Sequence, residues 1–130
     1  MQIEVFSLCD AATSGGGKLN MLGAFDTIWA KKMPVVHPQC TVALRVRFHS
    51  SEGSKHEVSV KLIDADGKHV VPPTSGTINI KYLEGQRSNS ANLILNIQGL
   101  KLEKYGEYSI DLAIAGQSRA SLPLFVKERK

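Results

Sequence analysis

The residues that could perform chemistry are few and scattered along the chain. Asp10, Asp26, Asp64 and His37 are the polar residues that could build a small-molecule or hydrolytic site from loops. Cys9, beside Asp10, could act as a nucleophile if one of the four histidines served as its base. No spacing in the sequence brings these groups together, so we predict no catalytic residue and lean against an enzyme. A site built from loops stays open as the alternative.

Two short motifs resemble ligand-binding loops but lack essential residues. A phosphate-binding loop that ended in Gly17-Lys18 would need an earlier glycine and a following Ser or Thr, where this chain has Ala12 and Leu19. The segment 64–67, Asp-Ala-Asp-Gly, shares a fragment with calcium loops, but Lys68 and the residues after it lack the further oxygen ligands. An Asp-Gly hairpin turn explains the segment. The sequence therefore predicts no cofactor and no metal site.

A basic strand face is the one surface that hints at a partner. The segments 40–48 and 57–63 alternate apolar and polar residues, and we expect them to pair as a hairpin. That pairing would set Arg45 opposite Lys61 on the solvent side, an opposition that an anionic partner would relieve. The candidate partner-binding residues are Arg45, Arg47, His49 and Lys61. The alternative is that these long side chains only diverge into solvent on an edge strand.

The composition is that of an ordinary globular domain. Apolar residues make up 42% of the chain and charged residues 22%, and the formal net charge of +4 favours anionic partners weakly. A charge this small makes nucleic-acid binding an unlikely function. The amino terminus has no basic segment before an apolar stretch, and no apolar run is long enough to span a membrane. We expect a cytoplasmic protein in which Cys9 and Cys40 are buried free thiols.

Alternation with a period of two predicts about eight strands and no helix. The strands are expected at 2–9, 18–29 with a bend at Gly23, 40–48, 57–63, 78–82, 93–97, 108–114 and 120–126. Gly106 lies two residues before Tyr108, as in the tyrosine corner of immunoglobulin-like sandwiches. The predicted fold is all-β, a two-layer antiparallel β-sandwich of immunoglobulin-like or C2-like architecture, formed by one domain over residues 1–130.

Several segments resemble an uncharacterised bacterial family of small single-domain β-sandwich proteins. They read LCDAA at 8–12, GKLN at 17–20, LGAFD at 22–26, DADG at 64–67, GEY at 106–108 and PLFV at 123–126. The resemblance implies a bacterial, intracellular sandwich, and it transfers no activity and no site residue. The prediction for function is a non-enzymatic binding module that recognises a protein or another macromolecular partner and that is able to form a homo-oligomer.

Overall fold

A computed structural model describes all 130 residues, and nearly all of its regular structure is β-strand. One short 3₁₀ turn, Ser50–Glu52, is the exception. The strands are β1 (Gln2–Gly15), β2 (Lys18–Ala24), β3 (Thr27–Ala30), β4 (Val35–His49), β5 (Lys55–Ile63), β6 (Thr74–Asn79), β7 (Ser88–Leu102), β8 (Gly106–Ile114) and β9 (Gln117–Glu128). No helix in the chain has the length and apolar character that crossing a membrane requires.

The nine strands form two packed sheets, which confirms the predicted all-β sandwich. The first sheet has the order β2-β1-β4-β7 and the second has the order β3-β9-β8-β5-β6. All neighbours are antiparallel except β3 and β9, which run parallel. The inner faces of both sheets supply one apolar cluster of 20 buried residues, among them Phe48, Leu44 and Leu112. Burial of one such side chain stabilises the fold by about 1.5–3 kcal/mol.

The predicted second strand, 18–29, is two strands in different sheets. Gly23 has φ +67°, a conformation that strains other residues, and a Cβ at that position would also push the Asp10 carboxylate aside, so the bend favours glycine. The chain then crosses between the layers: Phe25 N donates to Leu8 O at 3.0 Å in the first sheet, and Phe125 N donates to Asp26 O at 2.7 Å in the second. This crossing explains why there are nine strands instead of eight.

The predicted hairpin between segments 40–48 and 57–63 is wrong. β4 lies in the first sheet between β1 and β7, whereas β5 lies in the second sheet between β8 and β6. The connection between them contains Ser50–Glu52 and Gly53, whose φ of +91° turns the chain toward the other layer. Alternation reveals that each strand has one buried face, but it does not reveal which strand lies beside it.

The hairpin of β1 and β2 folds back over the outer face of the first sheet. Arg45 Nη1 donates to Gly17 O at 3.1 Å, and Asn92 Nδ2 donates to Ser14 Oγ at 3.1 Å, so the hairpin tip lies on β4 and β7. β1 contacts β7 although β4 separates the two strands in the sheet. This cover accounts for the complete burial of Ala43, which points away from the core cluster.

The two cysteines are buried free thiols, as predicted, but only one belongs to the core. Cys40 points into the core cluster, whereas Cys9 pairs with Thr41 and points to the opposite side of the sheet. Burial raises the pKa of the Cys40 thiol to about 11. Because the side chains leave opposite faces of the sheet, a disulfide between them would require the backbone to move.

Candidate functional site

The four predicted partner-binding residues do not form one surface. Arg45 and Arg47 lie on the outer face of the first sheet, and Lys61 lies on the second sheet, where it pairs with Asp111 across β5 and β8. The expected opposition of Arg45 and Lys61 is therefore wrong, because the two residues lie on opposite outer faces of the sandwich. The cross-strand neighbours of Arg45 are Val5 and Asn92, and neither of them is positively charged.

Arg45 and Arg47 are also paired with a carboxylate instead of standing free in solvent. Glu4 accepts a hydrogen bond from Arg45 Nε at 2.9 Å and another from Arg47 Nε at 2.8 Å. The hydrogen bond from Arg47 is the main reason that the pKa of Glu4 is lowered, and the bond from Arg45 lowers it further, while partial burial opposes both. The arginines continue to β7, where Arg45 donates to Asn92 at 2.9 Å and Arg47 donates to Ser88 at 3.1 Å. This network ties β1, β4 and β7 together.

His49 has a local structural role at the end of β4. It is the N-cap of the 3₁₀ turn, where its Nδ1 accepts a hydrogen bond from Ser51 N at 3.1 Å. Glu52 completes the cap, since its carboxylate accepts from His49 N at 2.8 Å. The contacts of Nδ1 with Ser51 fix the His49 side chain against its own turn.

The residues named for an alternative loop site do not converge. Asp64 Oδ1 accepts from two main-chain amides of its own turn at 2.9 Å, which matches the predicted Asp-Gly turn. Asp26 accepts from the Thr27 hydroxyl at 2.7 Å, and the ring of His37 contacts that of Phe25 at 5.6 Å between centroids. Each of the five principal surface cavities is lined by at most one of the four named residues.

A feature that the sequence analysis missed is the exposed edge of the first sheet. β7 is 15 residues long and is the outermost strand, with β4 as its sole neighbour in the sheet. From Ser88 to Leu100 it contains no charged residue and no proline. Most edge strands are short, charged, or interrupted by proline, because an unpaired edge invites another strand. β7 has none of these protections along this stretch.

The direction of the β7 main-chain groups follows from its pairing with β4. Ser50 N donates to Arg87 O at 2.7 Å, and these two residues continue the β4–β7 register. In an antiparallel ladder, alternate residues bond to the same neighbour, so the residues that share the odd parity of Arg87 bond to β4. The even-numbered ones face away from it. Ser90 agrees with this, since its N–H bonds to the side chain of Asn89 at 2.9 Å instead of to β4.

The N–H and C=O groups of Asn92, Ile94 and Asn96 therefore point toward the exposed edge. This regular stretch ends at Gly99, whose φ of +62° breaks the alternation. Before Gly99 the side chains that point into the core come from odd-numbered residues such as Leu95. After Gly99 they come from even-numbered residues, since Leu100 and Leu102 are buried. Because Ser90 N is already bonded to Asn89, the edge that is open to a partner runs from about residue 91 to residue 98, an ordinary strand length.

An apolar crevice lies beside this edge, where the two sheets open. It has a volume of about 140 Å³ and lies between the β7 segment 94–97 and the segment that leads into β6. Its lining consists of Val42, Val60, Leu62, Val71, Thr74, Ile94, Leu95, Asn96, Ile97 and Ile110. Eight of these ten residues are hydrophobic, so the crevice gives access to the core between the sheets.

Basic residues lie at both ends of the edge. Arg87 is exposed directly before β7, and the main chain of Lys81 accepts a hydrogen bond from Asn89 at 2.7 Å. Lys101 is exposed at the other end, where Glu103 is 3.5 Å from its ammonium group. The centre of the edge is uncharged, with Arg87 unpaired at one end and the ion pair of Lys101 and Glu103 at the other.

A second group of basic residues lies at the end of β3. β3 pairs in parallel with β9, which places Lys31 and Lys32 near the carboxyl-terminal residues. Trp29 is 58% exposed there, and the ammonium group of Lys127 lies 5.7 Å from the centre of its ring. Tyr105 donates a hydrogen bond to Ala30 O at 2.9 Å, so this group lies near the end of β7 that carries Lys101.

Comparison with known proteins gives a family and a fold. A family model described as "Family of unknown function (DUF6941)" matches residues 4–127. No curated protein matches the chain. Among solved structures, the β-glucosidase from Listeria innocua in complex with isofagomine is similar, with a TM-score of 0.50 and 10% sequence identity. The match covers 95% of this chain but only 16% of the β-glucosidase chain, so it shows the sandwich fold alone.

Proposed function

The chain belongs to the family of unknown function DUF6941, and we propose that it is a non-enzymatic binding module that takes an extended segment of a protein partner as an added strand on β7. The observation that carries the proposal is the exposed edge of β7, where the main-chain groups of Asn92, Ile94 and Asn96 have no strand partner. Strand addition is a common mode of peptide recognition, in which main-chain hydrogen bonds give affinity and side-chain pockets give specificity.

The pairing of β4 and β7 holds this edge in an extended conformation in the free protein. β7 pairs with β4 over nearly its whole length, and Arg45 and Arg47 attach it to Glu4 on the outer face. A rigid edge has little conformational entropy to lose on binding, so more of the hydrogen-bond free energy appears as affinity. Each added main-chain hydrogen bond contributes about 0.5–1.5 kcal/mol.

The sequence resemblance favours a bacterial cytoplasm as the place of this activity. Two buried free thiols, Cys9 and Cys40, fit a reducing compartment. A binding role is also favoured over hydrolysis, since the acidic residues that could serve a loop site are engaged in local turns or lie apart.

The test compares two proline variants that remove an outward N–H from two different sheet edges. Ile94→Pro places proline at a β7 residue whose N–H does not bond to β4, so the ladder of the first sheet stays complete. Thr77→Pro is the matched control on β6. Ile80 N donates to Ser54 O at 2.7 Å, in register with the β5–β6 pairs, so odd-numbered residues of β6 face away from β5.

A displayed library of random peptides is selected on the wild-type protein, and the affinities of synthetic hits are then measured by calorimetry. We expect Ile94→Pro to lose at least tenfold in affinity because it blocks at least one added bond and clashes with the incoming strand. Thr77→Pro is expected to bind as wild type does. Hits that bind equally well to Ile94→Pro, or a protein that selects no peptide at all, would refute strand addition on β7.

A further inference from the structure

We infer that the segment that adds to β7 has apolar side chains at alternate positions and an acidic residue at the end that lies beside Arg87. This inference rests on the proposed function and specifies the chemistry of the partner. It follows from three features of the edge: the crevice, the outward row of side chains, and the charge at the Arg87 end.

The crevice determines the inward-facing residues of the partner. Side chains of an added strand continue the alternation of β7, so every second one lies beside Leu95 and Ile97 on the core side. The crevice there measures about 140 Å³ and reaches Val60 and Ile110 of the second sheet. A space of this size and lining accepts an aliphatic side chain, whereas a charged group would lose its hydration without gaining a partner.

The outer row determines the other residues of the partner. Asn92 and Asn96 point to the outer face, where they bond to Arg45 and to Thr41 respectively. Short polar or β-branched residues opposite this row would pair without burying charge. The partner segment is thus expected to alternate aliphatic residues with residues such as threonine.

The charge at the Arg87 end favours an acidic flank. Arg87 is exposed and makes no ion pair, whereas Lys101 at the other end of β7 lies 3.5 Å from Glu103. Exposed charges contribute mainly to the association rate and to the discrimination between partners. A segment with a basic residue beside Arg87 would meet a like charge.

The segment that leads into β6 favours a single extended chain over a second copy of the sandwich. Val71 and Thr74 form the wall of the crevice opposite β7, so the space beside the edge is bounded on one side by the protein itself. A narrow bounded space accommodates one strand more easily than the edge of another sheet. Self-association through β7 is therefore an outcome that the test must detect.

The test uses three synthetic peptides of about nine residues, long enough to cover the edge. The first alternates valine and threonine between aspartate and glutamate ends, the second has the same centre between lysine ends, and the third has the residues of the first with its valines contiguous. We expect the first to bind at least about tenfold more tightly than each of the others at low salt. The advantage over the lysine-ended peptide should shrink at about 1 M salt, where screening is strong.

Two sets of variants assign these preferences to the edge. Val71→Phe fills the crevice from its wall and is expected to weaken the first peptide about tenfold or more, since one aliphatic side chain loses its site. The pair Arg87→Glu and Lys101→Glu should reverse the preference for acidic ends. The matched pair Lys61→Glu and Arg119→Glu changes the net charge equally on the second sheet and should leave the preference intact.

Each failure identifies what is wrong. If the peptides bind in a manner that Ile94→Pro abolishes, but neither the ends nor the alternation matters, the inferred chemistry is overturned and strand addition stands. If binding is unaffected by Ile94→Pro, the proposed function itself fails. If sedimentation shows a wild-type dimer that Ile94→Pro dissociates, a second copy is the occupant of β7 and the inference is overturned.

Discussion

Replacement of Glu4 by glutamine tests the network that holds β7 to the rest of the first sheet. Glu4 receives hydrogen bonds from Arg45 and Arg47 at 2.9 and 2.8 Å, and the side chains of the three residues are 26%, 24% and 37% exposed. Exposed ion pairs contribute about 0.2–1 kcal/mol each, and charge-assisted geometry places these at the upper end. Because the glutamine amide presents a donor to one arginine, we expect Glu4→Gln to lower the free energy of unfolding by about 1–2 kcal/mol.

The dependence of this loss on pH follows from the lowered pKa of Glu4. Because the folded state holds the pKa below its ordinary value of 4.5, the stabilisation is fully present above the unfolded pKa. It is lost as the pH falls through the folded pKa. The difference between wild type and Glu4→Gln should therefore be constant from about pH 6 to pH 8 and should shrink as the pH falls below 4.5. Glu52, whose pKa is lowered mainly by the amino group of Met1, is common to both proteins and cancels.

The assay is urea denaturation at several pH values, followed by circular dichroism. Glu57→Gln is the matched control, because Glu57 is an exposed glutamate that makes no ion pair. It should change the free energy of unfolding by less than about 0.5 kcal/mol. If Glu4→Gln behaves like this control at neutral pH, or if its loss does not shrink as the pH is lowered below 4.5, the network does not stabilise the sheet as argued.

Three further results are expected from other parts of the fold. Tyr108→Phe removes the hydroxyl that donates to Lys104 O at 2.7 Å in the tyrosine corner. Urea denaturation should show that the free energy of unfolding falls by about 1–2 kcal/mol. An unchanged free energy of unfolding would mean that the corner does not stabilise the fold. Cys9 and Cys40 should react slowly with a thiol reagent in the native state and yield two thiols after denaturation without reductant; rapid native reaction would contradict their burial. Asp64→Ala should cost about 1 kcal/mol through its lost turn bonds, and Asp64→Asn should cost less, as measured by denaturant midpoint; equal losses would contradict the turn role.

Local sequence patterns were sufficient to predict the class of fold. Alternation at positions such as Val42, Leu44 and Val46 indicates a half-buried strand, whichever strand lies beside it. The tyrosine corner at Tyr108 is also present, as predicted. The Asp-Gly turn at Asp64 also depends only on residues within a few positions. Features that are determined by near neighbours in the chain were therefore accessible from one sequence.

The pairing of strands was not accessible in the same way. β4 and β5 are consecutive and both alternate, yet they lie in different sheets. The choice between a hairpin and a crossing depends on the short connection around Gly53 and on the packing of both layers, which no local pattern encodes. The error about Arg45 and Lys61 came directly from this choice, since a wrong neighbour places the outward side chains on the wrong face.

The candidate site could not be predicted for a related reason. The segment from Ser88 to Leu100 is recognisable as uncharged and rich in Leu and Ile, but its importance depends on its being the last strand of a sheet. The direction of its N–H groups depends on its register with β4. A charge-free stretch of such length in a predicted strand is nevertheless a signal that could have drawn attention to an edge.

Hydrogen exchange at individual β7 amides tests the central claim most directly. In the free protein, the amides of Leu93 and Leu95 bond to β4 and should exchange slowly, while those of Ile94 and Asn96 face the open edge and should exchange rapidly. Saturation with the valine–threonine peptide that has acidic ends should slow Ile94 and Asn96 by at least about tenfold and leave Leu93 and Leu95 slow. If Ile94 and Asn96 are already slow in the free protein, or stay rapid when the peptide is bound, β7 is not an edge that receives a partner strand.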